Sequence, residues 1–200
     1  SIDYLDVSKR QFSYEKYQSH NVMGIGGNAL PIVFFRHDDY GADWFFIDDE
    51  LSNGKERLPC VSHKEIAKFD KAKTCVMTIS RYNIEVFNEI VSRPNTIILL
   101  ECAALRKSNE VRKFFAHMKD WGLTNPVILR AHYAETDIEK LQIQAAMDCG
   151  SLFIDGLGDG LMISAPVRSK ELVDLSFAIL QASRSRFSKT EYISCPSCGR

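Results

Sequence analysis

Beyond Pro59, short and wholly apolar runs alternate with longer stretches in which apolar residues recur every three or four positions. That rhythm predicts strands and helices in alternation. Strands are predicted over residues 74–79, 96–101, 127–130, 152–154 and 161–164, all apolar and several β-branched. Ser62 and Glu65 stand as a capping box for a short helix to about Phe69, and residues 84–91 form a second helix. Val111, Phe114, Phe115 and Met118 mark one face of a third helix over 110–121, closed by Gly122. Thr136 and Glu139 make another capping box for a helix that Gly150 ends, and a last helix is predicted over 170–186. Before Pro59 only residues 32–35 and 44–47 read as strands. Gly24, Gly26 and Gly27 precede the first of them. A dinucleotide cradle needs strand, glycines and helix in that order, so these glycines read as a loop.

Strand, helix, strand with short connections implies parallel βα units with helices outside the sheet, and uniformly apolar strands agree. The fold class is therefore α/β, parallel βα units forming a TIM-barrel-like domain. About five complete units follow Pro59, which predicts a barrel with short or missing units or an open fragment, since a full barrel runs to roughly 250 residues. In a barrel the strand C-terminal ends face the mouth, here Arg36, His37, Ser80, Arg81, Glu101, Arg130, His132, Asp155 and Ser164. Acid–base work on an anionic substrate would start from these residues. Taken singly, a His or Arg at a strand end is more often structural, and fold alone grants no activity.

Composition narrows the partners. Lys plus Arg number 25 against 26 Asp plus Glu, a formal charge of −1, which favours neither nucleic acid nor an anionic membrane. The longest apolar runs fall far short of the ~20 residues of a membrane helix, and the start carries no signal-peptide pattern, so a cytoplasmic piece of a longer chain is expected. Cys60, Cys75, Cys102 and Cys149 are scattered and read as buried, reduced thiols. Asp38, Asp39, Asp43, Asp48, Asp49 and Glu50 lack the spacing of a calcium loop and read as solvated.

Cys195 and Cys198 differ from those four. Pro196 fixes φ at the first step between them and Gly199 tolerates positive φ, so both sulfurs can converge on one side of a tight turn. Thiolates at this spacing suit zinc or the irons of an iron–sulfur cluster, and either metal needs about four ligands. A redox dithiol and two unrelated thiols remain open on spacing alone.

The run from Gly156 to Ser164 (GLGDGLMIS), the helix ending ILQASRSR and the terminal ISCPSCGR stand in this order over roughly the last 45 residues. Together they resemble the junction between barrel and cluster domain in the 4-hydroxy-3-methylbut-2-enyl diphosphate synthase family, in its long, three-domain form. The resemblance implies that the parent reduces 2-C-methyl-D-erythritol 2,4-cyclodiphosphate in non-mevalonate isoprenoid biosynthesis. It also implies a [4Fe–4S] cluster fed by flavodoxin or ferredoxin. Cys195 and Cys198 match its first two cluster ligands, and the remaining ligands would lie beyond Arg200. Met162 stands where the catalytic barrel of the family has an arginine near the substrate phosphates. The turn therefore looks like a degenerate copy of a catalytic one, and no catalytic residue is expected in this chain.

The implied organisation is a linker over 1–28, an inserted barrel domain over 29–187, and a hinge with the start of the cluster domain over 188–200. Ser188 to Thr190 would be the hinge. The expected role is a spacer that moves the cluster domain by the insert's own width, roughly 30 Å, and the isolated chain is expected to be inactive and without a cluster. A self-sufficient barrel enzyme acting on a phosphorylated metabolite through Arg36, Arg81 or Arg130, and a zinc-ribbon interaction module, are the alternatives.

Overall fold

In the computed structural model of the chain, residues 16–36, 40–102 and 107–187 are described, without the side chains of Cys102 and Lys107. The strands are β1 (Ile32–Phe35), β2 (Trp44–Ile47), β3 (Glu50–Ser52), β4 (Arg57–Ser62), β5 (Cys75–Ile79), β6 (Thr96–Cys102), β7 (Val127–His132) and β8 (Gly160–Ser164). They form a closed barrel in sequence order, and β8 completes the ring by pairing in parallel with β1. No unit is left open. Closure comes from β2, β3 and β4, an antiparallel meander in which Phe46 pairs with Leu51 and Leu51 with Leu58. All other neighbours run parallel.

The helices are α1 (Ile84–Val91), α2 (Lys107–Asp120), α3 (Ile138–Ala145), α4 (Ser151–Ile154) and α5 (Ser169–Ala182). Asn83 caps α1 through the amides of Glu85 and Val86, and Asp137, not Thr136, caps α3 through Glu139 and Lys140. The first capping box fails because Ser62 is the last residue of β4, and only a 3₁₀ turn, Ile66–Lys68, follows. Gly150 does not end its helix. A π turn, Ala146–Gly150, carries α3 directly into α4, so the strand expected at 152–154 is helical. Gly150 is buried with helical φ, beneath Ile179 of α5.

α5 stops at Ala182, four residues short of the predicted end. Arg184 adopts a left-handed φ of 56°, and the amides of Ser185 and Arg186 both donate to the Leu180 carbonyl. Arg186 leaves the helix and grips the lower rim. Its guanidinium pairs with Asp43 (Nη2–Oδ1 2.8 Å), donates to the Pro31 carbonyl (3.1 Å) and lies over the Phe177 ring.

The core has two layers. Phe34, Leu51, Val76, Leu99, Ile128 and Met162 fill the barrel, while Met77, Ile98, Phe114, Leu129 and Ile179 pack between sheet and helices. A Cβ at Gly160 would sit 2.5 Å from Cε2 of Phe34, so only glycine leaves room for that ring. The barrel floor is closed by residues 16–31, of which 16–28 fall in the expected linker. Val22 and Ile25 pair as a bridge and are buried with the interior side chains. The glycine loop is thus a plug.

Candidate functional site

Side chains alternate inward and outward along each strand, so Arg36, Ser80, Glu101, Arg130, His132 and Ser164 share the inward-facing set at the mouth. Of these, the structure brings together Glu101 and Arg130. Neighbours in the β6–β7 register, they form an ion pair (Nη1–Oε1 3.1 Å), and the guanidinium lies over Phe46 at 5.9 Å. Arg130 Nε is buried without a partner among the described residues. Beneath the pair, burial pushes the Cys60 thiol up to about 12; the Leu51 backbone hydrogen bond opposes this, Asp49 adds to it, and Arg130 lowers it. Such a thiol is not a nucleophile at neutral pH.

His132 and Ser164 are also neighbours, partners in the β7–β8 register, and the other expected mouth residues are dispersed. Arg36, Ser80 and Arg81 are exposed, and His37 lies outside the described residues. The Ser164 carbonyl accepts the Tyr133 amide (2.8 Å). Asp155 is at the opposite end, because it follows α4 and precedes β8. There it pairs with Arg112 (Nε–Oδ2 2.9 Å).

The glycine–aspartate turn does not make a phosphate site. Asp159 lies on the lower rim, where its carboxylate accepts the Ser19 hydroxyl (2.6 Å) and the Val127 amide (2.9 Å). Burial raises its pKa, with those two hydrogen bonds opposing the shift. Met162 is wholly buried in the barrel. Ser164 is five residues of extended strand from Asp159, roughly 16 Å away. Asp159 anchors the plug to β7 and β8.

Cys195 and Cys198, with the expected hinge, lie outside the described residues. Among the described residues no group of three or more His, Cys, Asp or Glu is arranged to hold a metal, and Cys60, Cys75 and Cys149 are not in disulfides. The described chain therefore supplies no donor set for a cluster. No helix among the described residues is long and apolar enough to cross a membrane.

Two features that the sequence reading missed lie on the helical side and the lower rim. Lys16, Gly156, Arg184 and Ser185 border one cavity of about 330 Å³. The described segments at residues 16–17 and 183–185 thus meet at one corner. The Tyr17 amide donates to the Gly156 carbonyl (3.2 Å) there, and the Tyr17 hydroxyl to the Asn125 carbonyl (2.9 Å). From this corner an open groove of about 690 Å³ rises between α3–α4 and α5, and Ile154 and Ser183 line both spaces. Pairing of distant segments at a rim leaves no local sequence pattern, and the groove depends on the unexpected helical continuity through Gly150.

No protein-family model matches the chain. Among curated proteins it is 42% identical over 230 aligned residues to the 4-hydroxy-3-methylbut-2-en-1-yl diphosphate synthase (flavodoxin) of Bacteroides thetaiotaomicron, covering all of this chain and 36% of that protein. The synthase of the same name from Phocaeicola vulgatus is 41% identical over 95% of this chain and 37% of its own length. The Porphyromonas gingivalis synthase is 36% identical over 88% of this chain and 30% of its own length. The chain spans about a third of the length of these relatives.

Proposed function

This chain is a relative of a segment of the 4-hydroxy-3-methylbut-2-en-1-yl diphosphate synthases, and from that premise we propose that it is their inserted middle domain, a structural body without chemistry of its own. The parent is an iron–sulfur oxidoreductase that converts 2-C-methyl-D-erythritol 2,4-cyclodiphosphate to 4-hydroxy-3-methylbut-2-enyl diphosphate in the cytoplasm. Flavodoxin, which the relatives' names carry, is the electron donor, with ferredoxin as the alternative. A [4Fe–4S] cluster, when bound, would supply the electrons for the ring-opening reduction. Cys195 and Cys198 provide two of its ligands, the others coming from beyond Arg200.

The reading rests on one observation above all: Lys16 and Ser185 border the same cavity. A domain whose two ends meet can be inserted into a parent chain without separating the parts on either side. This changes how a spacer operates. In this reading the width of the insert lies to one side of the flanking parts. They are held at one corner, with the barrel standing beside them where a partner subunit would otherwise be. Residues 16–28 go with the barrel in this reading, since Val22 and Ile25 are buried with its interior side chains.

The chain's own residues act by fixing that corner. Arg186 clamps the outgoing segment to Asp43 and Pro31, while Tyr17 and Asp159 clamp the incoming one. The Glu101–Arg130 pair at the mouth has its charge neutralised internally, which favours this reading over an enzyme acting through Arg130. Replacing residues 16–187 of the full-length synthase by a short flexible linker tests the proposal. Turnover is expected to be lost while iron content persists; a linker variant that retains full turnover contradicts it.

A further inference from the structure

The groove between α3–α4 and α5 is a feature that the closed barrel does not use. Its floor is small and apolar, with Ala146 and Gly150 on one wall and Ala178 and Ala182 on the other. Beside it the same helical run exposes large apolar side chains to solvent: Ile143 at 63%, Met147 at 70% and Ile154 at 60%. Scattered apolar exposure is ordinary, but Ile154 lines the groove itself and Ile143 and Met147 each follow a lining residue, Gln142 and Ala146, and apolar exposure concentrated in this way is of the kind that marks an interaction surface.

We infer that this groove is the seat of the iron–sulfur domain that follows Arg200 in the parent chain, an inference that rests on the inserted-domain reading above. Position and reach identify the occupant. The lower end of the groove opens on the corner where the chain leaves, and Ser183 lines both groove and corner. From Phe187 to the first knuckle cysteine is eight residues, which extend to roughly 26–29 Å. The groove wall from Glu171 to Ser183 is about 18 Å of helix, so the following domain reaches its whole length on a short tether. A short tether gives a high effective concentration, so a modest apolar patch suffices to hold the domain. At the upper end Glu171 and Asp174 are already paired with Arg168 and Lys170, leaving the apolar floor to provide the contact.

Hydroxyl-radical footprinting tests this on three proteins: the full-length synthase, the synthase ending at Arg200, and this chain alone. The expected result is labelling of Met147 and Ile143 that is several-fold slower in the full-length protein than in the other two, and restored in full-length Ala178→Trp, in which the groove is filled. Equal labelling in all three overturns the inference. Protection that persists in the protein ending at Arg200 assigns the groove to the preceding part and also overturns it, as does concentration-dependent protection of this chain alone, which would mean a second copy. Turnover is not read here, so the inserted-domain proposal stands or falls separately.

Discussion

Gly160 and Asp159 show how two adjacent residues settle opposite parts of the barrel floor. Gly160 faces inward, and the Phe34 ring occupies the space that a Cβ would need. Gly160→Ala is expected to destabilise the chain by about 1–3 kcal/mol through overpacking, and Phe34→Leu in the same chain should recover part of the loss. Urea midpoints of the three variants check this; an unperturbed single variant contradicts it. Asp159 carries a different signature. Because burial raises its pKa, the native state holds this proton more tightly than the unfolded chain does. Its contribution is therefore fully present below the ordinary aspartate value of about 3.9 and is lost as pH rises through the raised native value. The stability of the wild type minus that of Asp159→Asn should fall as pH rises from about 4 towards neutral, and a flat or rising difference contradicts the assignment. None of this was legible in the glycine–aspartate turn itself. The motif resembles a ligand turn, and only the strand register shows that Asp159 and Ser164 lie at opposite ends of β8.

Among the elements, the βα rhythm was legible because apolar runs bounded by turn residues carry their own signal. β1, β2 and β5 to β8 fall where strands were expected, and α1 where a helix was. The meander was not legible, since β3 has only three residues and β4 contains Pro59, which a strand interior usually lacks. Residues 152–154 misled because three apolar residues suit a strand or a buried helix equally, and the π turn removed the break expected at Gly150. The end of α5 misled because Arg184 takes the left-handed position that glycine usually marks. Its consequence is the Arg186 clamp. Arg186→Ala gives up the forked contact with Asp43 and should lower stability by about 1–3 kcal/mol. Arg186→Lys should recover only part of that, because an ammonium cannot reproduce the fork. Thermal or urea unfolding decides, and a wild-type midpoint in Arg186→Ala would mean that the outgoing segment is held elsewhere.

For the molecule as a whole, the central claim is that a closed barrel whose ends meet at one corner stands in for a partner subunit. The flanking catalytic and cluster parts can then meet within one polypeptide. The shared corner of Lys16 and Ser185 supports that arrangement. Active-enzyme sedimentation of the full-length synthase, in which the boundary is followed by its own turnover, tests the claim most directly. Activity is expected to sediment as a monomer at all dilutions, and activity that travels only with a dimer would contradict the stand-in role of the barrel.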